Sequence, residues 1–248
     1  MDRRIIEVSG ADRLRFLQGL VTNDVERTAR GPVYAALLSP QGKYLADFVL
    51  TDHGDALRMD VAEPLAEGLL RRLGLYRLRA DVALALLDPP VSRGTGTPPE
   101  GAHADPRHPA LGWRLHGPHP GDGTDWDALR VEHLVPEGGV ELVPDDSYIL
   151  EMGFERLHGV DFRKGCYVGQ EVTARMKHKT ELRKGLVRVD VEGAAPVGTP
   201  ILADGRPVGT LHTQSGGRGL AHLRFDRARG VAMTAGDARV AWEPARAA

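Results

Sequence analysis

Beyond Thr180 the chain becomes a run of short strand-like stretches cut by glycine-containing turns, and that pattern leaves few folds open. The stretches are 182–191, 199–202, 206–213, 220–225 and 238–242. Short, regularly punctuated strands predict a small β-barrel or sandwich. A domain boundary is therefore expected near residue 180, dividing 1–180 from 181–248.

The first part mixes strands and helices. Strands are expected at 4–8, 33–39, 44–51 and 56–61. The turn Pro40-Gln41-Gly42 joins the second and third of these, and residues 52–55 join the third and fourth. Ser9 and Asp12 resemble a capping box, opening a helix with Leu14, Leu17 and Leu20 or Val21 inward. Pro64 suits the start of a helix over 65–73. Residues 81–87 read as a buried strand, 111–115 as another, and 125–134 as a helix. Residues 88–110 are rich in proline and glycine and are expected to form one long loop, and 136–144 a second irregular stretch. Strands joined by hairpin-like links predict an α+β fold rather than a doubly wound sheet.

Composition narrows the function. The 248 residues carry a net charge of -2, which gives no support for general binding to nucleic acid or to an anionic membrane. No stretch is long and apolar enough to span a bilayer, and the beginning of the chain, MDRRIIEVSGADRLRFLQGL, has no apolar signal core. The expected location is the cytoplasm. There is one cysteine, so no internal disulfide and no self-contained CxxC metal site can form. His116 with His119, and His103 with His108, lack a convincing third ligand and read as surface histidines.

That cysteine sits in RKGCYVGQEVTARMKHK, residues 163–179, bracketed by Gly165 and Gly169. Four of the five lysines fall between 164 and 184. A helix expected over 168–176 would place Cys166 just ahead of its N-terminus. There the dipole and Arg163, Lys164, Arg175 and Lys177 would favour a thiolate. Three readings stay open: a small buried hydrophobe, a nucleophile paired with His158 or His178, or one ligand of a cluster shared with a partner.

KGCYVGQE, Lys164 to Glu171, followed by Arg175, resembles the signature of the YgfZ family, folate-binding proteins related to the aminomethyltransferase (T-protein) of the glycine cleavage system. FLQGLVTNDV (16–25), LLSPQGKYLADFVL (37–50) and YRLRADV (76–82) resemble three further family motifs, and Leu150-Glu151 lies where the family has a similar pair. The stretch after Arg175 departs from the family, with Thr180 in place of a small turn residue. The resemblance implies T-protein-like folate-binding lobes around a central channel, with a small C-terminal β-barrel. It implies tetrahydrofolate or a folate derivative as cofactor. It also implies a role in iron–sulfur cluster assembly or repair, with A-type scaffold proteins and client enzymes such as radical-SAM tRNA-modifying enzymes as partners. Cys166 corresponds to the functional thiol and a shared cluster ligand. Lys164, Tyr167, Gln170 and Glu171 match its motif. A channel would meet the pterin with stacking and amide or carboxylate bonds, and the glutamate tail with arginine or lysine. Asn23, Asp24, Gln41, Lys43, Tyr44, Arg79, Glu151 and Arg175 are the candidates. The alternative is a tetrahydrofolate-dependent aminomethyl or one-carbon transferase, which would need a carboxylate such as Asp47, Asp60 or Glu63 near the reacting nitrogen. A third reading is a pure interaction module for tRNA-modifying enzymes.

Overall fold

In the computed structural model, which describes residues 2–179 and 181–243, one sheet separates two hydrophobic cores. Strands β1 (Arg3–Ser9), β2 (Val33–Leu38), β3 (Tyr44–Asp52), β4 (Ala56–Ala62) and β5 (Ala83–Leu87) form it in the order β2-β3-β4-β1-β5, all neighbours antiparallel. Every residue of β2 is buried. Side chains alternate across a strand, so Val33, Ala35 and Leu37 enter one core while Tyr34, Ala36 and Leu38 enter the other. A strand covered on both faces needs an unbroken apolar run, which VYAALL supplies.

The first core is closed by α1 (Arg13–Gln18) and α2 (Glu63–Arg77), through Leu17, Ala66, Leu69 and Leu73. The expected capping box is absent. Ser9 is paired within β1, and Asp12 Oδ2 accepts from the Asp81 amide instead of capping α1. Leu14 points outward, at 39% exposure. The second core lies under 134–167, with α3 (Trp126–His133) leading into it.

Residues 88–110 are not one long loop. β6 (Val91–Gly94) and β7 (His103–Ala104) flank β8 (Trp113–His116) in a three-stranded sheet. β5 is not buried as expected. It is the edge of the large sheet, with Ala83 and Ala85 exposed. The histidines expected at the surface are partly drawn in. His116 lies 5.4 Å from the His53 ring, and burial pushes its pKa down to about 4, with Asp60 opposing and His53 and His103 adding to the fall. His108 Nδ1 accepts from the Ala110 amide.

α4 (Gln170–Lys179) precedes a closed barrel in the order β10-β11-β12-β9-β14-β13. Its strands are β9 (Lys184–Glu192), β10 (Thr199–Ala203), β11 (Arg206–Ser215), β12 (Arg218–Arg224), β13 (Met233–Ala235) and β14 (Ala238–Ala241). β13, three residues long, is the strand the sequence pattern misses, and it closes the cylinder between β10 and β14. Thr180 lies outside the described residues. Among those residues no helix is long and apolar enough to cross a membrane.

Candidate functional site

Cys166 is exposed, in a loop anchored on either side of it. Asp161 begins the loop. Its Oδ1 accepts from the amides of Arg163 (2.7 Å) and Lys164 (3.2 Å), a local turn of the kind aspartate favours. Lys164 Nζ reaches back to the carbonyls of Val21 (2.6 Å) and Asn23 (2.7 Å), which joins the cysteine motif to the 16–25 motif. Tyr167 is buried in the second core. Cys166 is held between these anchors without being covered.

The two bracketing glycines play different parts. Gly165 has open space where a Cβ would stand. Gly169 has φ 82°, and a Cβ there would lie 2.6 Å from Ser39 O and 2.9 Å from Leu38 Cβ. Its partner is Gly42, φ 76°, whose own Cβ would meet Val172 Cβ at 2.7 Å. Only glycine combines positive φ with this approach. The 40–42 turn is thereby pressed against the start of α4. The helix starts at Gln170 rather than at 168, so Tyr167, Val168 and Gly169 intervene between the thiol and its first residue. The helix-dipole argument for a thiolate loses force, because the effect fades outside the first turn. Nor do all the nearby cations turn to the thiol. Arg175 pairs with Glu171 and Lys177 with Glu155.

Burial pushes the Lys164 pKa down to about 8, with Asp24 and Asp161 opposing. The unfolded chain, with an ordinary lysine, holds more protons between about pH 8 and 10.4, so this group adds stability as pH rises through that window. The expected result is a Lys164 Nζ titration centred near 8, resolved by heteronuclear NMR and absent in Lys164→Met. A midpoint above 10 would contradict the buried placement.

The other candidates are spread out. Asn23 is buried, and its Nδ2 donates to the carbonyls of Tyr34 and His158, both at 2.7 Å. Asp24 caps the 3-10 helix Val25–Arg30. Gln41 is exposed in the turn, and Lys43 Nζ lies 3.8 Å over the Tyr148 ring. Tyr44 is buried and donates to Asp47. Arg79 is exposed beyond α2. Gln170 Nε2 approaches the Gly165 carbonyl at 3.5 Å. Glu151 faces a cleft of about 590 Å³ between residues 139–152 and the barrel, where His222 Nε2 (3.2 Å) and Lys184 Nζ (3.4 Å) flank its carboxylate. A second cleft of about 410 Å³ adjoins it, sharing Val140 and Val197.

The carboxylates a transferase would need are already engaged. Asp47, buried, accepts from the hydroxyls of Tyr34 (2.9 Å) and Tyr44 (2.6 Å). Glu63 starts α2 and lies 3.6 Å from Arg4. Asp60 is wholly buried between Arg3 and Arg114. Around it run further pairs: Arg114 and Arg107 with Asp105, Arg3 with Glu137, and Arg130 with Glu141. These residues are scattered from 3 to 141, and no local pattern in the sequence announces the cluster.

A sheet between two cores followed by a closed six-stranded barrel is the aminomethyltransferase fold. Glycine cleavage system aminomethyltransferase T from Bartonella henselae superposes with a TM-score of 0.65, covering 96% of this chain and 81% of that one, at 14% identity. Residues 183–247 match the family described as CAF17, C-terminal beta-barrel domain. The chain belongs to the family of iron–sulfur cluster assembly factor IBA57. It is 32% identical to the Homo sapiens protein and 31% to that of Mus musculus, covering 92% of this chain and 77% of each relative. A homologue from Mycosarcoma maydis is 32% identical over 75% of this chain, which spans 54% of that relative's length. These relatives are named mitochondrial, which overturns the expectation of a cytoplasmic protein.

Proposed function

We propose that this protein is a folate-binding accessory factor for iron–sulfur cluster assembly or repair, in which Cys166 gives one thiolate to a cluster shared with an A-type scaffold protein. The carrying observation is the placement of the chain's one thiol: exposed, in a loop anchored by Lys164, Tyr167 and Gly169. A single thiolate meets a partner's ligands only if it is accessible and fixed. The names of the relatives support the iron–sulfur cluster assembly part of this reading. The likeness of 164–171 to the YgfZ signature extends the clients to radical-SAM tRNA-modifying enzymes.

The folate part rests on the Glu151 cleft. A carboxylate flanked by Lys184 and His222 is chemistry suited to a pterin, and His212 lines the same cleft, its buried Nδ1 without a hydrogen-bond partner among the described residues. Glu151, His212 and His222 would hold the ring. The transferase alternative is disfavoured, because Asp47, Asp60 and Glu63 are each engaged by neighbours and line neither cleft.

The test is anaerobic cluster reconstitution with an A-type scaffold, read by absorption, for wild type and Cys166→Ser. A cluster signal from the mixture that disappears in Cys166→Ser is expected. Equal signals from both proteins would remove the ligand role.

A further inference from the structure

Two leucines at the end of α2 stand in solvent. Leu75 is 70% exposed and Leu78 88%, the two highest values for a large apolar side chain among the described residues. A lone exposed leucine needs no explanation, but Leu78 costs the fold twice. It follows the last residue of α2 with φ 44° and ψ -107°, and a positive φ at a helix end suits glycine where leucine resists it. The display is also fixed. Tyr76 and Ala80, on either side, pack against the first core, and the Ala80 amide donates to the Arg77 carbonyl (2.8 Å). Strain and exposed apolar surface are thus held together, with nothing among the described residues to offset either.

Cations are interleaved with the leucines. RRLGLYRLR, residues 71–79, holds Arg71, Arg72, Arg77 and Arg79, each exposed, and no acid. Among the described residues none of the four makes an ion pair or a side-chain hydrogen bond. Glu67 stands one turn before Arg71 without bonding to it. Asp145 lines a small cleft with Arg72, and the carboxylates of Asp12 and Asp81 accept from backbone amides.

An exposed apolar pair inside a polar rim marks a contact surface for protein or membrane. Phosphates gain nothing from leucines, which argues against RNA. A membrane surface takes the apolar face of a helix, and that of α2, with Ala66, Leu69 and Leu73, is turned into the first core. A protein suits both features, since arginine is enriched at interfaces and facing carboxylates steer the encounter. We infer that residues 71–79 dock a partner protein at an apolar pocket rimmed by carboxylates. Leu75 and Leu78 enter the pocket, and Arg71, Arg77 and Arg79 meet the rim.

Fluorescence anisotropy of the full chain with a labelled amphipathic peptide of leucine and glutamate tests this. Polyglutamate, a leucine–lysine peptide, single-stranded RNA and phosphatidylglycerol vesicles are run beside it. The leucine–glutamate peptide is expected to bind best. The double variants Leu75→Ser with Leu78→Ser, and Arg77→Glu with Arg79→Glu, should each weaken it about tenfold or more. Val231→Ser, a control at an exposed valine beyond the patch, should bind as wild type. Leu78→Gly separates docking from structure: it should weaken the peptide yet melt no lower than wild type, because glycine accepts the positive φ. Circular dichroism melts establish that every variant is folded. Equal binding of the peptide by wild type and the patch variants overturns the inference, and so does no binding at all. Polyglutamate or the leucine–lysine peptide binding as tightly would show charge or grease alone, and also overturns it. Patch-dependent binding of RNA or vesicles without the peptide overturns it in favour of that surface.

Discussion

Asp60→Ala is expected to lower the unfolding free energy by about 3–5 kcal/mol, the typical cost of removing one partner from a buried ion pair. The carboxylate bridges Arg3 and Arg114 and is wholly buried, so the variant leaves two guanidiniums without it in a dry site. Acid should have the same effect on wild type. Burial alone would raise the Asp60 pKa, but Arg3 and Arg114 outweigh it and bring it down to about 2. Glu137 falls to about 2 for the same reason, with Arg3 and Arg107 leading. Both folded-state values lie below the unfolded ones, so this stability is present above about pH 4–5 and lost as pH falls towards 2. Urea denaturation at pH 7 and at pH 3 checks both statements. The wild type and Asp60→Ala midpoints should be far apart at pH 7 and converge on acidification. A pH-independent gap would mean that packing, not charge, sets the difference.

Gly169→Val is expected to abolish cluster formation with a scaffold while leaving Cys166 in the chain. A β-branched side chain at φ 82° is strained by about 1–3 kcal/mol, and its Cβ would run into Ser39 O and Leu38 Cβ. The cheapest relief moves residues 163–169 off the 40–42 turn. Gly165→Ala, in open space, should behave as wild type. Cluster absorption after reconstitution measures the effect, with circular dichroism to confirm that the barrel and sheet persist. A wild-type signal from Gly169→Val would show that the position of the loop does not matter.

These two sites differ in how far sequence could reveal them. Gly169 and Cys166 lie in one local signature, so the loop was legible as a site. What separates Gly165 from Gly169 is a contact with residues 38–42, and that is invisible to spacing. The strands over 3–9, 33–38, 44–52 and 56–62 showed themselves through apolar runs and turn residues. The two-residue β7 and the three-residue β13 are too short for a period to register, and β6 lies in a proline-rich stretch that masks its pairing with β8. Asp12 looked like part of a cap because capping boxes are local, yet its carboxylate answers to Asp81, far along the chain. The ion cluster around Asp60 was illegible for the same reason. Among the folate candidates, Asn23 and Tyr44 spend their polar atoms on neighbouring protein groups, as buried polar groups generally must.

The placement of β1 bears on how the chain is made. It is an interior strand of the large sheet, yet its partners are β4 and β5, in which Asp60 and Leu87 face Ile5. A ribosome adding roughly 5–20 residues per second exposes RRIIEVS for seconds before either neighbour exists. Both edges of an apolar strand are then open to other chains. Nascent chains of this protein should therefore lean on holding chaperones early in translation, and slowing synthesis before β4 emerges should lower the soluble yield.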